Sequence, residues 1–342
     1  MNHVVTLAPF GVQFACGEEE TILSAALRQG IGLRYGCKHG ACGSCKARIT
    51  EGEVDLVQAS GFALMQYERD AGMTLLCSAY PLEDIVVQLE HYDEAELSTA
   101  RPIVEFCCRI AARNKLSPDI WQLVLDIDSD SPLHFDAGQF VEVNVPGSRE
   151  WRAYSMANAP GDGRSIELLI KEIPDGRFSG ALAQVLAAGD RLAVRGPFGQ
   201  FKVHEGSAPM VMVAGGSGMA PILSMLRSLS EQRSKREIVF YYGIRTANDL
   251  ICSEEIATIA AGLSAFKYVP TVAAPGASGA WKGETGLVTE VIDRLSGNLR
   301  GGDAYLCGPP GMIDAVIEVL KGKGMFGSRI RFDKFVSTAS CI

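Results

Sequence analysis

The hydrophobic rhythm of the chain changes twice, and each change marks a different kind of structure. From the first residue to about 98 it is mixed. MNHVVTLAPFGVQF alternates as strand, and TILSAALRQG predicts a helix opening near Thr21 and closing at Gly30. A glycine- and cysteine-rich loop, another strand and a final strand near Ile85–Leu89 follow. HYDEAELSTARP, at His91–Pro102, is polar, acidic and aperiodic, and it reads as a linker. From Ile103 to about Val203 short apolar runs recur between turn residues: IVEFCCRIAA, IWQLVLDI, QFVEVNV, SIELLIKEI and RLAVRG. That spacing predicts a small antiparallel barrel, interrupted by one helical stretch at Phe178–Gly189. From about Ala208 strands such as PMVMVAGG and EIVFYYG alternate with helical segments such as MAPILSMLRSLSEQ. Strict alternation predicts a parallel, doubly wound α/β sheet. The expected domains are therefore 1–98, 99–205 and 206–342.

Composition narrows the class. Apolar residues are 47% of the 342, enough for substantial cores, and the net charge of −8 argues against a general nucleic-acid binder. No apolar run approaches the ~18 residues of a membrane span. The N-terminus lacks the basic start and apolar stretch of a secretory signal, so a soluble cytoplasmic protein is expected. The charge is uneven. Residues 1–98 hold 14 Asp and Glu against 6 Lys and Arg, which is the whole net charge of the chain. Such a surface can steer a basic partner, or it can simply be solvated.

Four of the ten cysteines carry a pattern. Cys37, Cys42 and Cys45 follow C-x4-C-x2-C in RYGCKHGACGSCKARI, and Cys77 arrives in LLCSAYP. This is the spacing with which four thiolates hold a plant-type [2Fe–2S] cluster. Gly36, Gly40, Ala41, Gly43 and Ser44 would let backbone N–H groups approach the sulfurs. Structural zinc is the alternative, but zinc sites usually repeat a short two-cysteine knuckle, and here the fourth cysteine stands alone. The other six cysteines show no framework spacing and, in a cytosolic chain, are expected to be reduced.

Five further segments suggest nucleotide chemistry. In WRAYSMANAP, Arg152 and Tyr154 share a strand face beside Ser155. An arginine can grip a phosphate, a tyrosine can lie on an aromatic ring and a serine can bond a ring nitrogen, which suits a flavin. In DGRFSGAL, Gly176, Phe178 and Ser179 stand where a helix begins, either as an anion site or as an ordinary cap. In VAGGSGMAPILSML a strand runs into Gly215, Gly216, Ser217 and Gly218, then Met219, Ala220 and Pro221. Such a turn can be purely structural, but at the end of the first parallel strand it favours a dinucleotide pyrophosphate. In YYGIRTANDL, Arg245 ends the next strand. It can accept a 2′-phosphate or cover the adenine; Asp249, if it points inward, would repel that phosphate and favour NADH. In AYLCGPPGMIDA, Cys307, Gly308, Pro309 and Pro310 occupy another strand-to-helix junction. Cys307 there can face a nicotinamide or be a buried small residue. Of Phe332 and Phe335 near the chain end, one could cover a flavin ring or both could pack a strand.

In this order the motifs cover nearly the whole chain, and it resembles the reductase components of bacterial multicomponent monooxygenases, such as those of phenol hydroxylase and of the methane, propane and alkene monooxygenases. ILSAALRQGI, ITEGEVDL, FALMQYERD, MVMVAGGSGMAP and YLCGPPGMIDA carry the likeness. Reductases of aromatic ring-hydroxylating dioxygenases share the layout, and a non-catalytic electron-carrier module is the alternative of another class. The resemblance implies an α+β (β-grasp) ferredoxin domain, an antiparallel β-barrel FAD domain and an α/β NAD(H) domain. It implies cluster ligation by Cys37, Cys42, Cys45 and Cys77, and flavin binding by Arg152, Tyr154 and Ser155, with Ser155 near the reacting flavin nitrogen. Gly176, Phe178 and Ser179 would serve the FAD phosphates, Gly215 to Pro221 the NADH pyrophosphate, and Cys307 to Pro310 the nicotinamide. Phe335 matches as the flavin cover. Electrons would pass from NADH to FAD to [2Fe–2S] and on to a hydroxylase component, docked on the acidic ferredoxin domain around Cys42 and Cys45. The implied setting is hydrocarbon or aromatic catabolism.

Overall fold

The computed structural model describes residues 2–90, 92, 94–97, 103–129, 132–274 and 281–336. The chain divides into two compact units, Met1–Ile103 joined by the C-terminal stretch from Lys334, and Val104–Asp333.

The first unit opens with the hairpin β1 (Asn2–Ala8) and β2 (Val12–Gly17), then α1 (Ile22–Arg28). Thr21 caps α1, its hydroxyl accepting from the Ser24 N–H at 3.2 Å, and Ile22, Leu23, Ala25 and Ala26 turn a fully buried face inward. β3 (Lys46–Glu51), β4 (Val54–Leu56), α2 (Gln66–Asp70), β5 (Met73–Leu75), β6 (Ala79–Pro81), β7 (Ile85–Gln88) and α3 (Glu94–Leu97) follow. Five strands form one mixed sheet in the order β2-β1-β7-β3-β5, with β1 and β7 parallel, while β4 and β6 pair separately. A helix across a mixed sheet is the β-grasp arrangement expected for this segment. The stretch expected to be a plain linker is partly built. Tyr92 lies under the Arg34 guanidinium at 4.4 Å and accepts the Arg34 N–H at 2.8 Å, and the Leu97 carbonyl accepts the Gly32 N–H at 2.9 Å. Two apolar anchors in an acidic stretch are too few to give a period, so the sequence pattern missed them.

The second unit begins with β8 (Val104–Ser117), β9 (Ile120–Ile127), β10 (Phe140–Asn144), β11 (Trp151–Ser155), β12 (Ser165–Lys171), α4 (Arg177–Gln184) and β13 (Arg191–Phe198). The strand order is β11-β10-β13-β8-β9-β12, and a bridge from Met156 to Leu168 joins the two ends. The sheet thereby closes on itself around a core that includes Leu123, Leu125, Val141, Val143, Ile166, Leu168 and Phe178. The alternation read from the sequence fills this interior.

β14 (Met210–Gly215), α5 (Met219–Glu231), β15 (Ile238–Ile244), α6 (Ser253–Gly262), β16 (Phe266–Val272), β17 (Glu284–Thr285), α7 (Val288–Leu295), β18 (Asp303–Gly308), α8 (Pro310–Gly322) and β19 (Ile330–Lys334) complete the chain. Their sheet runs β17-β16-β15-β14-β18-β19, with β14 parallel to both β15 and β18. β14 and β18 are buried along their whole length, as strands covered by helices on both faces must be. The order reverses between β14 and β18, and that switch point is where open α/β sheets bind ligands.

Candidate functional site

The cluster loop lies between α1 and β3, outside regular structure, and its shape comes from glycine and backbone bonds. Gly40 and Gly43 are left-handed, at φ +74° and +76°. A Cβ on Gly40 would come within 2.5 Å of the Gln58 carbonyl. The Ser60 N–H reaches the Gly40 carbonyl at 2.9 Å, so residues 58–63 back the loop. Cys42, Cys45 and Cys77 are buried and Cys37 is half-buried. The thiols gather as two hydrogen-bonded pairs, Cys37 with Cys42 and Cys45 with Cys77. Sharing a proton within a pair pushes one thiol up and draws the other down: the bond from Cys37 lowers Cys42, and that from Cys45 lowers Cys77. The Ala41 N–H points at the Cys37 sulfur at 3.3 Å and the Cys37 N–H at the Cys42 sulfur at 3.4 Å. Two pairs of thiols with N–H groups aimed at sulfur fit a two-iron cluster with two thiolates on each iron. Among the described residues no three ligand side chains close around a single ion.

The flavin candidates lie along β11 and at the start of α4. Ser155 is buried and registers opposite Phe140 of β10. Tyr154 is half-buried, its ring 5.4 Å from that of Phe178, and desolvation raises its phenol. Phe178 itself is in the barrel core, and the Ser179 hydroxyl accepts the Ile173 N–H at 3.2 Å. Phe178 can therefore offer a phosphate only its backbone N–H, whereas Ser179 keeps its own O–H as a donor beside its backbone N–H. Gly176 caps α4 where a Cβ would run into the Ser179 hydroxyl. Arg152 bonds the Glu150 carboxylate at 2.6 Å, and Arg177, in the first turn of α4, bonds the same carboxylate. Glu150 thus marks a point where two guanidinium groups already hold a negative charge, which fits a nucleotide phosphate. Sequence reading missed Arg177 and Glu150; the signal was a basic residue at the first helical position, with nothing in the chain order to link it to Arg152.

The dinucleotide candidates meet at the switch point. β14 ends at Gly215, and α5 begins at Met219. Ala214 registers with Cys307 across the parallel pair, so the two strand-to-helix turns abut. A Cβ on Gly215 would stand 2.6 Å from the Met312 sulfur, and one on Gly218 would run into the Cys307 carbonyl. Gly216, at φ +56°, has nothing within 4 Å of where a Cβ would be, and its carbonyl accepts from the Tyr242 hydroxyl at 3.2 Å. An open side on a left-handed glycine, next to a helix N-terminus, is a cradle that fits a pyrophosphate. Ser217 sits in the turn, while Met219, Ala220 and Pro221 are buried in the first turn of α5. Cys307 is fully buried, and desolvation pushes its thiol well up, so it is held as a neutral thiol. Gly308 adopts φ +151°, Pro309 caps α8 and Pro310 opens it. Arg245 bonds Asp119 at 2.8 Å and Asp249 at 3.1 Å. Asp249 also accepts the Thr246 N–H at 3.0 Å, so it serves the local turn. Phe332 packs on the core of the α/β sheet, and Phe335, one residue past β19, is half-buried.

Three family models match in chain order: a 2Fe-2S iron-sulfur cluster binding domain over residues 5–82, an oxidoreductase FAD-binding domain over 107–203 and an oxidoreductase NAD-binding domain over 212–318. The reductase component of propane 2-monooxygenase from Rhodococcus jostii (strain RHA1) is 38% identical over 99% of this chain and 92% of its own length. The phenol 2-monooxygenase reductase component of Pseudomonas sp. (strain CF600) is 36% identical over 99% and 96%. Among solved structures, the Amycolatopsis cytochrome P450 reductase GcoB matches at 32% identity with a TM-score of 0.84, covering 98% of this chain and 99% of that one. The ferredoxin reductase of carbazole 1,9a-dioxygenase matches at 28% identity with a TM-score of 0.76, covering 98% and 99%. The chain belongs to the family of iron–sulfur flavoprotein reductase components of multicomponent monooxygenases. Its cofactors are a [2Fe–2S] cluster, FAD and NAD.

Proposed function

We propose that this chain oxidises NADH and delivers the electrons, through FAD and its own [2Fe–2S] cluster, to the hydroxylase component of a multicomponent monooxygenase. The observation that carries this reading is that the strand bearing Arg152, Tyr154 and Ser155 and the helix opening at Gly215–Pro221 belong to one compact unit, tied by a 2.7 Å bond from the Ser224 hydroxyl to the Asn158 carbonyl. The flavin, when bound, accepts hydride from NADH as an electron pair and releases electrons singly to the one-electron cluster.

The protein supplies placement and electrostatics. Arg152 and Arg177, with the N–H groups at Gly176, Phe178 and Ser179, hold the FAD phosphates. Tyr154 backs the flavin ring, and Ser155 bonds the reacting nitrogen region. The turn from Gly215 to Pro221 cradles the dinucleotide pyrophosphate. Cys307, neutral and dry, borders the nicotinamide with Gly308, Pro309 and Pro310, and leaves no competing charge there. Arg245 already satisfies two carboxylates, which counts against capture of a 2′-phosphate and favours NADH over NADPH. Cys37, Cys42, Cys45 and Cys77 would hold the cluster through their thiolates. We place the domain boundaries near residues 98 and 205, and the work in the cytoplasm, where NADH is drawn. The hydroxylase docks on the acidic unit around Cys42 and Cys45, so its reduction should slow as salt screens the attraction.

A second reading, the reductase of a ring-hydroxylating dioxygenase, draws on the match to the carbazole 1,9a-dioxygenase ferredoxin reductase. The higher identity to monooxygenase reductases favours the first. A visible spectrum of the purified protein tests both: flavin and iron–sulfur bands together, each bleached by NADH without air, are expected, and absence of either band sinks the reading. Turnover with each class of oxygenase then separates the two.

A further inference from the structure

We infer that Arg227, with Ser224 one turn before it, is a positioning residue that holds the flavin strand in register with the dinucleotide turn. The inference rests on the function proposed above, and it concerns two side chains to which no cofactor contact was assigned. Both lie on α5, the helix that begins at the pyrophosphate cradle. Residues three apart share a helix face, so both reach the same neighbour. That neighbour is the segment directly after β11. The Ser224 hydroxyl donates to the Asn158 carbonyl at 2.7 Å, and the Arg227 guanidinium donates to the Ala157 carbonyl at 2.7 Å. Ala157 and Asn158 follow Ser155 by two and three residues, on the same run of backbone as the flavin motif.

The grip extends further. The nitrogen that reaches Ala157 also bonds Glu167 of β12 at 2.7 Å, and the Arg227 Nε bonds Glu255 of α6. Glu167 is itself fixed: its side chain accepts from Gln122 at 2.8 Å, and its N–H reaches the Asn158 side chain at 2.9 Å. Asn158 in turn donates to the Ala159 and Ser165 carbonyls, each at 3.1 Å. One guanidinium therefore joins two barrel segments to two helices of the α/β part. Arg227 has only 18% of its side chain exposed and Ser224 none, so these bonds are little screened. Two carboxylates hold the buried guanidinium firmly protonated, against the pull of desolvation. Another ion pair between barrel and sheet, Arg245 with Asp119, differs in kind: its arginine is 66% exposed and bonds carboxylates in place of a backbone carbonyl of the flavin strand. Lysine cannot copy Arg227, because it lacks the planar fork that reaches a carbonyl and two carboxylates in different directions.

Hydride transfer is sensitive to sub-ångström changes in donor–acceptor placement, and loosening this latch should cost on the order of 10–100-fold in rate. The test is rapid mixing of the FAD-loaded, full-length chain with NADH without air, for the unaltered protein, Arg227→Gln and the milder Ser224→Ala. The expected result is a limiting rate of flavin reduction lower by about 10–100-fold in Arg227→Gln, and lower by less in Ser224→Ala, with the half-saturating NADH concentration changed less than about twofold. The long-wavelength absorbance of stacked nicotinamide and flavin should weaken in parallel. In the flavin-free chain, amide hydrogen exchange over residues 155–160 should quicken in both variants, a readout independent of turnover. If Arg227→Gln fails to fold, Ser224→Ala decides by the same readings. Unchanged limiting rates with unchanged exchange over 155–160 overturn the latch. Failure of the unaltered protein to be reduced by NADH overturns the function it rests on instead.

Discussion

Glycine recurs in the cluster loop and in the dinucleotide turn, and the two places use it differently. In the cluster loop Gly40 and Gly43 are left-handed, which turns neighbouring N–H groups onto thiol sulfur, and Gly40 in addition lies too close to the Gln58 carbonyl to carry a side chain. In the dinucleotide turn Gly215 and Gly218 have ordinary angles, φ −134° and −61°, and are needed for lack of room. They meet Met312 and Cys307, about ninety residues away in sequence, where two parallel strands end side by side. One site is assembled within its own loop and the segment that backs it; the other exists only after the sheet has formed.

The strongest way to break this comparison is to remove a cluster ligand. Cys37→Ser should take cytochrome c reduction to background and abolish the iron–sulfur bands, while NADH:ferricyanide activity through the flavin persists. Cytochrome c reduction at the original rate would show that the cluster is not on the electron path. Next comes the flavin phosphate. Replacing Arg152 with Ala removes a charge-assisted bond, and FAD dissociation constants measured by fluorescence should rise about 10–100-fold; retention at the original affinity would move the phosphate elsewhere.

Two alanine substitutions then separate room from conformation. Gly218→Ala should destabilise the second unit by about 1–3 kcal/mol, because its Cβ meets the Cys307 backbone. Gly216→Ala adds a Cβ into open space and costs about 1–2 kcal/mol of left-handed strain. Its larger effect should be on KM for NADH, since the added methyl enters the cradle. Denaturant unfolding and NADH titration of both variants should give opposite rankings, and identical rankings would erase the distinction.

The smallest effect concerns acid stability beside the cluster loop. The hydrogen bond from Lys46 at 2.6 Å holds the Glu68 carboxyl below its ordinary value of 4.5. A lowered folded value means that Glu68 adds stability above about pH 4.5, and that this is lost as pH falls through the folded value. Glu68→Gln should therefore lower Tm slightly at neutral pH and flatten its fall in acid, as calorimetry across that range would show. A parallel fall in both proteins would mean that the pair carries no linkage.

What the sequence made legible follows the same division. The cysteine spacing was legible because a plant-type cluster is held by four thiolates at a fixed loop length, and it singled out the four cysteines proposed above as ligands. The strand–helix alternation after Ala208 gave the parallel sheet, since both periods were clean. The barrel was legible from its short strands and turns, and the bridge from Met156 to Leu168 is the contact that closes it. Arg177, Glu150, Ser224 and Arg227 were silent because each acts on a partner far along the chain, and a lone arginine on a helix looks like any solvated charge. α2 was missed because its five residues bury no face and show no period.

The central claim is that electrons from NADH reach the cluster only through the flavin. The most direct measurement is NADH reduction of the same chain with and without FAD, followed by the absorbance of the cluster in the absence of air. The account predicts rapid bleaching of the cluster with FAD bound, none on that timescale after the flavin is stripped, and recovery when FAD is restored. Bleaching of the cluster by NADH at the same rate in the flavin-free chain would contradict it.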